Sequence, residues 1–105
     1  MSIYAKQKTF KSKAFTNKSK GNSCINCGAS DAYACHYNGI WQHAFGKGRG
    51  IKCSDLATAD FCKKCDDAHS EGVNIYSSKE ERDQMWLLFI MLTNIRRLNN
   101  GVLKT

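Results

Sequence analysis

The sequence predicts a small α+β domain that is stapled by one zinc ion and ends in a long helix. Three observations predict this fold class. Two CxxC pairs, Cys24–Cys27 and Cys62–Cys65, flank a 34-residue insert (28–61). Residues 31–37 have the composition of a short strand, and residues 79–98 carry helix signals. At 105 residues the chain suggests one domain with a modest apolar core, so a staple is expected.

The cysteines supply that staple. Each CxxC presents two thiolates, and two such pairs complete a tetrahedral zinc shell. The first residues of the chain are polar and lack the apolar segment of a signal peptide, so we expect reducing surroundings, where paired cysteines bind metal. The predicted ligands of a structural Zn²⁺ are Cys24, Cys27, Cys62 and Cys65. The alternative, two unrelated reduced pairs, stays open.

The net charge of +7 and the pI of about 9.2 favour an anionic partner such as nucleic acid. Six lysines and no acidic residue occur in residues 1–20. We therefore divide the chain into a basic N-terminal arm, 1–20, and a single zinc-bound domain, 21–105. The arm is either a solvated terminus or a DNA contact. The longest apolar run, 85–92, is too short to span a bilayer, so no membrane partner is expected.

The elements follow in order from local signals. Residues 21–30 form a knuckle-like turn in which Gly28 frees the backbone after the second cysteine. The strand at 31–37 and a Gly-rich loop come next. The second CxxC pair then runs into a short helix that is predicted to stop at Gly72.

The last helix has the clearest signals. Ser78 is its predicted N-cap and Glu81, three positions on, completes a capping box, so the helix should run from about Lys79 to Leu98. Residues 85–92 are apolar all round, which requires burial on two sides. One side belongs to the zinc core, and the other predicts a homodimer through this helix.

Three glycines crowd into residues 46–50, where they permit positive φ and close approach to another surface. Basic residues between and after them place positive charge where a phosphate backbone would approach. The alternative is a flexible surface turn. No GxxxxGK[ST] sequence is present, which disfavours a nucleoside triphosphatase. The residues predicted to bind DNA are Lys47, Arg49 and Lys52.

Several of these features together resemble the YbcO-like family of small phage and prophage proteins, which is placed near the HNH (ββα-metal) nucleases. The similar segments are Lys20-Gly21 leading into the first CxxC, Ala34-Cys35-His36, and Gly48 to Asp55, which fits Gly-x-Gly-x-Lys-x-x-Asp. Asp55 lies seven residues before Cys62, and the resemblance covers most of residues 19–70. It implies an HNH- or treble-clef-like fold, DNA as partner and the bacterial cytoplasm as location.

The chain departs from the pattern of those nucleases at two positions. HNH-type enzymes often place Asp before the first His, where this chain has Cys35, and His or Asn after the last Cys, where it has Asp66. A carboxylate can hold Mg²⁺ or Mn²⁺, so Asp66 keeps a catalytic metal possible. Cys35 and Cys53 are interpreted as small buried apolar side chains, with a contact from Cys35 to a second metal as the alternative.

Phosphodiester hydrolysis needs an activated water, a cation on the phosphate and help for the leaving oxygen. His36 is the predicted general base, because a neutral imidazole suits that role at physiological pH; the alternative is a structural or surface histidine. Asp55 either orients His36 or is a second metal ligand, or else is a turn or N-cap residue. Asp66 is the predicted ligand of the catalytic metal, because it follows a zinc-fixed cysteine.

Asp67 and His69 are alternative metal ligands, since Asp66 and His69 share a helix face at i, i+3. The other interpretation of residues 66–69 is an acidic helix N-terminus followed by a solvated histidine.

These residues leave three functions open. The first is a metal-dependent DNA endonuclease of low sequence specificity, which requires divalent-cation-dependent nicking that vanishes in His36→Ala. The second is a non-catalytic zinc module that binds DNA or a phage or host protein. The third is a protein adaptor that uses the apolar helix segment 85–92 as its interface.

Overall fold

The computed structural model describes residues 10–48, 52–70 and 76–102. These residues form a small α+β domain. Its elements are α1 (Lys13–Asn17), β1 (Tyr33–His36), a 3₁₀ turn (Gln42–Phe45), β2 (Thr58–Phe61), α2 (Lys63–Ser70) and α3 (Lys79–Asn99).

The insert between the CxxC pairs forms a two-stranded antiparallel sheet. β1 pairs with β2 so that Cys35 lies opposite Ala59 and His36 lies opposite Thr58. The predicted strand at 31–37 is thereby confirmed as β1. β2 is buried along its whole length, because α2 and α3 both lie against it. The sheet therefore brings the end of the insert back beside the knuckle-like turn, 21–30, that precedes it.

Glycines end two of the turns as predicted. Gly28 has φ +82° and closes the knuckle by donating its N–H to the Cys24 carbonyl at 2.9 Å. Gly46 has φ +92° and ends the 3₁₀ turn. Both conformations are costly for a residue with a Cβ atom. The predicted stop of α2 at Gly72 lies outside the described residues.

α3 begins where its capping signal predicts. The Ser78 side chain accepts a hydrogen bond from the Glu81 N–H, and the helix extends to Asn99, one residue beyond the predicted end. The reciprocal half of the capping box differs from the expected form. The Glu81 carboxylate accepts from the backbone N–H and hydroxyl of Ser77, not from Ser78.

One face of α3 supplies much of the core. Trp86 is fully buried; its ring centroid lies 5.1 Å from that of Phe61 on β2, and its indole N–H donates to the His69 carbonyl at 3.0 Å. Aromatic contacts at edge-to-face angles add to the area that such residues bury. None of the helices in the described ranges combines the length and the apolar character needed to cross a membrane.

The described part of the basic arm lies against this core. Phe15 of α1 is buried beneath the Arg97 guanidinium, which stands 4.5 Å from the ring centroid. Arg97 also donates to the hydroxyls of Ser19 and Thr58, at 3.3 and 2.7 Å. Burial lowers the pKa of Arg97, and the nearby Asp60 carboxylate opposes that shift. These contacts join the arm, β2 and α3.

Candidate functional site

The four cysteines of the CxxC pairs converge. The sulfur atoms of Cys24, Cys27, Cys62 and Cys65 all lie within 4.8 Å of one another, and the Cys27 and Cys62 Sγ atoms are 3.6 Å apart. A zinc ion with Zn–S bonds of about 2.3 Å separates tetrahedral sulfurs by about 3.8 Å. The donor set and its spacing therefore fit a structural Zn²⁺.

The local backbone positions these thiols. Cys24 and Cys27 sit on the knuckle, which is tied to β2 because the Ile25 N–H donates to the Asp60 carbonyl at 2.7 Å. Although burial opposes ionisation, nearby backbone N–H groups, those of Cys27 and Cys62 foremost, lower the pKa of Cys24 to about 7. A thiolate is the form that binds zinc, so this turn favours metal uptake.

The structure brings His36 and Asp55 together across 19 positions of sequence. The His36 Nε2 atom lies 2.7 Å from Asp55 Oδ1, and the other carboxylate oxygen accepts the Ser12 N–H. Burial disfavours the carboxylate, but the Ser12 N–H and the His36 ring outweigh it and lower the pKa of Asp55. The contact with His36 is the one through which Asp55 would orient the ring, and Asp55 also lies in the turn before β2.

This pairing assigns the tautomer of His36. An ionised carboxylate only accepts hydrogen bonds, so Nε2 must carry a proton and Nδ1 of a neutral ring holds the lone pair. Among the described residues the structure gives Nδ1 no hydrogen-bond partner. The ring is therefore held by one nitrogen and able to accept a proton through the other.

Asp66 is fixed at the first turn of α2. Its Oδ2 accepts a hydrogen bond from the Tyr33 hydroxyl at 2.8 Å, and its Oδ1 accepts one from the Ser70 hydroxyl at 3.0 Å. Burial, with help from Asp66, raises the pKa of Tyr33, so this phenol remains a donor. Each carboxylate oxygen retains a lone pair for a cation.

His36 and Asp66 line one cavity of about 290 Å³, which we call the Asp66 cavity. Lys47 and Lys52, two of the three residues predicted to bind DNA, line it as well. The third, Arg49, lies outside the described residues. An imidazole, a carboxylate and two ammonium groups thus share one concave surface, which suits a phosphate group better than an apolar ligand.

Two alternative metal ligands lie elsewhere. His69 is fully buried, with Nδ1 2.7 Å from the Cys65 carbonyl and Nε2 2.8 Å from the Tyr76 hydroxyl, so both ring nitrogens are occupied. Burial lowers the pKa of His69 and keeps the ring neutral. Asp67 pairs with Lys63 on the surface of α2 at 3.3 Å. Neither lines the Asp66 cavity as the structure describes it.

Apart from the four cysteines, no group of three metal-ligating side chains converges within 4.8 Å in the described ranges. Cys35 and Cys53 are both buried, as predicted from their interpretation as small apolar side chains. Burial raises the pKa of the Cys35 thiol, with the Asp66 charge adding to the shift, which keeps it protonated and a poor metal ligand.

Sequence reasoning missed three residues that hold the site: Tyr33, Ser70 and Ser12. The first two carried a signal. Tyr33 shares a strand face with Cys35, and Ser70 stands four positions after Asp66 on a helix. Ser12 has no such sequence signal, because its N–H donates to Asp55, which is 43 positions away in the sequence.

The chain matches none of the protein-family models, curated proteins or solved structures with which it was compared.

Proposed function

We propose that this chain is a metal-dependent DNA endonuclease of low sequence specificity, related to the YbcO-like family and hence to the HNH nucleases. The observation that carries the proposal is the His36–Asp55 pair, which opens onto the same cavity as Asp66, Lys47 and Lys52. The family relation implies a phage or prophage origin and activity in the bacterial cytoplasm.

The order of the elements supports a ββα-metal, treble-clef-like fold. A CxxC knuckle is followed by the β1–β2 pair and then by α2, which begins beside the second CxxC. In this order the end of the first strand carries the candidate base, His36, and the first turn of the helix carries the candidate metal ligand, Asp66. The zinc joins the knuckle to α2 and so holds these two elements together.

The chemistry assigned to the chain follows from the geometry. His36 Nδ1 accepts a proton from the attacking water, and Asp55 stabilises the imidazolium that results. Lys47 and Lys52 bind the non-bridging phosphate oxygens and offset the charge that develops on them. His36 thus acts on the attacking water, Asp55 acts through His36, and the two lysines act on the scissile phosphate.

Asp66 would hold the catalytic Mg²⁺ or Mn²⁺. Magnesium is commonly bound by one or two carboxylates, with waters and substrate phosphates completing its coordination, so a single carboxylate beside a phosphate cavity fits it. When bound, the ion would act as a Lewis acid on the phosphate. Tyr33 and Ser70 orient the carboxylate for this purpose.

The test is a nicking assay on supercoiled plasmid and on branched and single-stranded DNA, with Mg²⁺, Mn²⁺ or Ni²⁺ added to zinc-loaded protein. We expect His36→Ala to abolish cleavage and Asp55→Ala to lower its rate by about 100-fold or more. His43→Ala is the matched control. It removes an exposed imidazole whose one hydrogen bond within the described ranges is to the Lys47 carbonyl. Cleavage that survives in His36→Ala, or that wild type never shows, would exclude the nuclease.

A second candidate is a zinc module that binds DNA without cleaving it. Two observations favour it: both oxygens of Asp66 already accept hydrogen bonds, and no second three-ligand group is assembled in the described residues. This function predicts DNA binding that is unchanged in His36→Ala and no cleavage with any of the three metals. The same set of samples therefore separates the two candidates.

A second copy of the chain is the partner we propose for the outer face of α3. Five large apolar side chains on this face are 40–61% exposed: Leu88, Met91, Leu92, Ile95 and Leu98. They lie opposite the buried face that carries Trp86 and Phe89. Together they present roughly 400 Å² of apolar surface, which is within the range of the largest patches on monomers, and such patches are often functional.

Four of the exposed apolar residues on this face are spaced symmetrically along the helix. Leu88, Met91, Ile95 and Leu98 follow one another at steps of three, four and three residues, which read the same in both directions. A two-fold axis that pairs two α3 helices antiparallel would set Leu88 against Leu98 and Met91 against Ile95. Every pairing is apolar.

Sedimentation equilibrium tests the dimer. We expect wild type to sediment as a dimer, Met91→Glu as a monomer, and Ser30→Glu, which adds the same charge at an exposed turn, as a dimer. A wild-type monomer at high micromolar concentration would refute self-association. Pull-down of another protein by that monomer would indicate an adaptor instead.

A further inference from the structure

A second cavity, of about 630 Å³, opens beside the described part of the basic arm. His36 and Lys52 line both this cavity and the Asp66 cavity, so the candidate base stands where the two adjoin. The residues lining this second cavity, which we call the arm cavity, are Lys11, Ser12, Lys13, Thr16, His36, Lys52 and Asp55.

The lining of the arm cavity includes three lysines and two hydroxyl residues, of which the Lys11 ammonium and the Thr16 hydroxyl already donate to backbone carbonyls. Asp55 is its single carboxylate, and both oxygens of that group are occupied by His36 and the Ser12 N–H. Among the residues that the structure describes, the three lysines and the two hydroxyls face no other acidic side chain within it. An anion with several oxygens is the ligand that such a lining accepts best.

One lysine of the arm is fixed in place by the chain itself. The Lys11 ammonium donates to the carbonyls of Lys52 and Cys53, at 2.9 and 2.6 Å, and so ties the arm to the segment that carries Lys52. Lys13 is exposed and forms no ion pair with the residues that the structure describes. Residues of the arm and the segment at Lys52 thus form the arm cavity together, and Lys13 lies at its rim.

We propose that the arm cavity is a phosphate subsite for the DNA strand, which holds a backbone phosphate next to the one that enters the Asp66 cavity. The proposal rests on the proposed function in one respect, because the Asp66 cavity must receive DNA. A strand carries one phosphate per nucleotide, so a strand that passes His36 presents phosphates on both sides of it. Lys13 is then a positioning residue, since phosphate contacts fix the register of the strand.

The test measures DNA affinity without added Mg²⁺ or Mn²⁺, so that cleavage plays no part. Fluorescence anisotropy of a labelled duplex is recorded with wild type, Lys13→Gln and Lys18→Gln. Lys18 is the matched control: it is an exposed lysine at the end of α1 that lines neither cavity. Each variant removes one positive charge from the same arm, and neither side chain is part of the core.

We expect Lys13→Gln to reduce the slope of log affinity against log salt by about 0.9, the value of one lost phosphate contact, and Lys18→Gln to keep the wild-type slope. At about 100 mM salt the affinity of Lys13→Gln should fall about five- to tenfold, while that of Lys18→Gln stays within about twofold.

Each proposal fails in its own way. Equal salt slopes and equal affinities for the two variants would overturn the arm subsite. If wild type also nicks DNA in a metal-dependent way, the proposed nuclease function would still hold. Unequal slopes with no cleavage under any metal would support the subsite and exclude the nuclease. Absence of DNA binding by wild type would overturn the subsite directly.

Discussion

Asp83 offers the sharpest test of how α3 is joined to the rest of the domain. Its side chain is fully buried and its Oδ2 atom accepts two hydrogen bonds, from the Tyr37 hydroxyl at 3.0 Å and from the Ile40 N–H at 2.8 Å. Oδ1 accepts from Arg82 Nε at 3.3 Å. The Tyr37 hydroxyl in turn accepts the Trp41 N–H at 3.1 Å. One carboxylate therefore fixes the whole turn after β1.

Replacing Asp83 by Ala leaves the Tyr37 hydroxyl and the Ile40 N–H without their acceptor. Each buried donor that loses its partner costs about 1–3 kcal/mol, and the Ile40 site lies nearer solvent, so we expect a loss of about 3 kcal/mol. Small domains have a total free energy of unfolding of about 5–15 kcal/mol, so this change is large. Asp83→Asn keeps one acceptor oxygen and should cost about 1 kcal/mol.

The assay is urea unfolding followed by circular dichroism at neutral pH, with zinc in excess and zinc content measured for each variant. Tyr37→Phe and the double variant complete a cycle, in which we expect the two losses to be less than additive because they share one hydrogen bond. An Asp83→Ala variant within about 0.5 kcal/mol of wild type would refute the reasoning, since surface substitutions cost no more than that. Equal losses for Ala and Asn would also refute it.

Three further predictions follow from the same structure. Removal of zinc by a strong chelator, or Cys62→Ser, should abolish cooperative unfolding, because the metal joins the knuckle to α2; an unchanged melting curve would contradict the zinc site. Gly39→Ala should cost about 1–3 kcal/mol, because its Cβ would lie 2.5 Å from the Tyr37 hydroxyl oxygen and 2.6 Å from both Asp83 oxygens; a neutral effect in urea unfolding would show that this turn yields easily. Burial, partly opposed by the Trp41 N–H and reinforced by Asp83, raises the pKa of Tyr37 to about 12. The folded state therefore holds a proton that the unfolded chain releases near pH 10, and this stability is lost as pH rises from about 10 to 12. Urea midpoints across that range should fall less steeply in Tyr37→Phe than in wild type, and parallel curves would contradict the shift.

Much of the fold could be predicted because its signals are local. A CxxC pair fixes two ligands by spacing alone, and the gap between the two pairs requires an insert that leaves the zinc and returns. The capping box marks the start of α3 at Ser78, and glycine at position 28 marks a turn with positive φ. The function assigned to the site, in contrast, stays a prediction.

The candidate site could be predicted only in part, because it depends on contacts between distant segments. Side-chain chemistry predicts His36 and Asp66 as site residues, and the structure sets both on one cavity. His69 was considered from helix spacing as a neighbour of Asp66, yet its ring turns inward and stacks on Phe61 with centroids 4.7 Å apart. Helix periodicity gives the side on which a residue lies and does not give the partners that occupy its nitrogens.

The sequence by itself determined the four cysteines of the candidate zinc site, the helical span of α3 and the basic character of the chain, because each is set by residue type and short-range spacing. Tertiary structure decided that Asp55 holds His36, that Ser12 of the arm holds Asp55, and that one apolar face of α3 remains exposed. The physical reason is that these outcomes depend on which long-range contacts the packed core permits. The two contacts of Asp55 join residues separated by 19 and by 43 positions, and hydrophobic pattern and local propensity carry no information on such pairings.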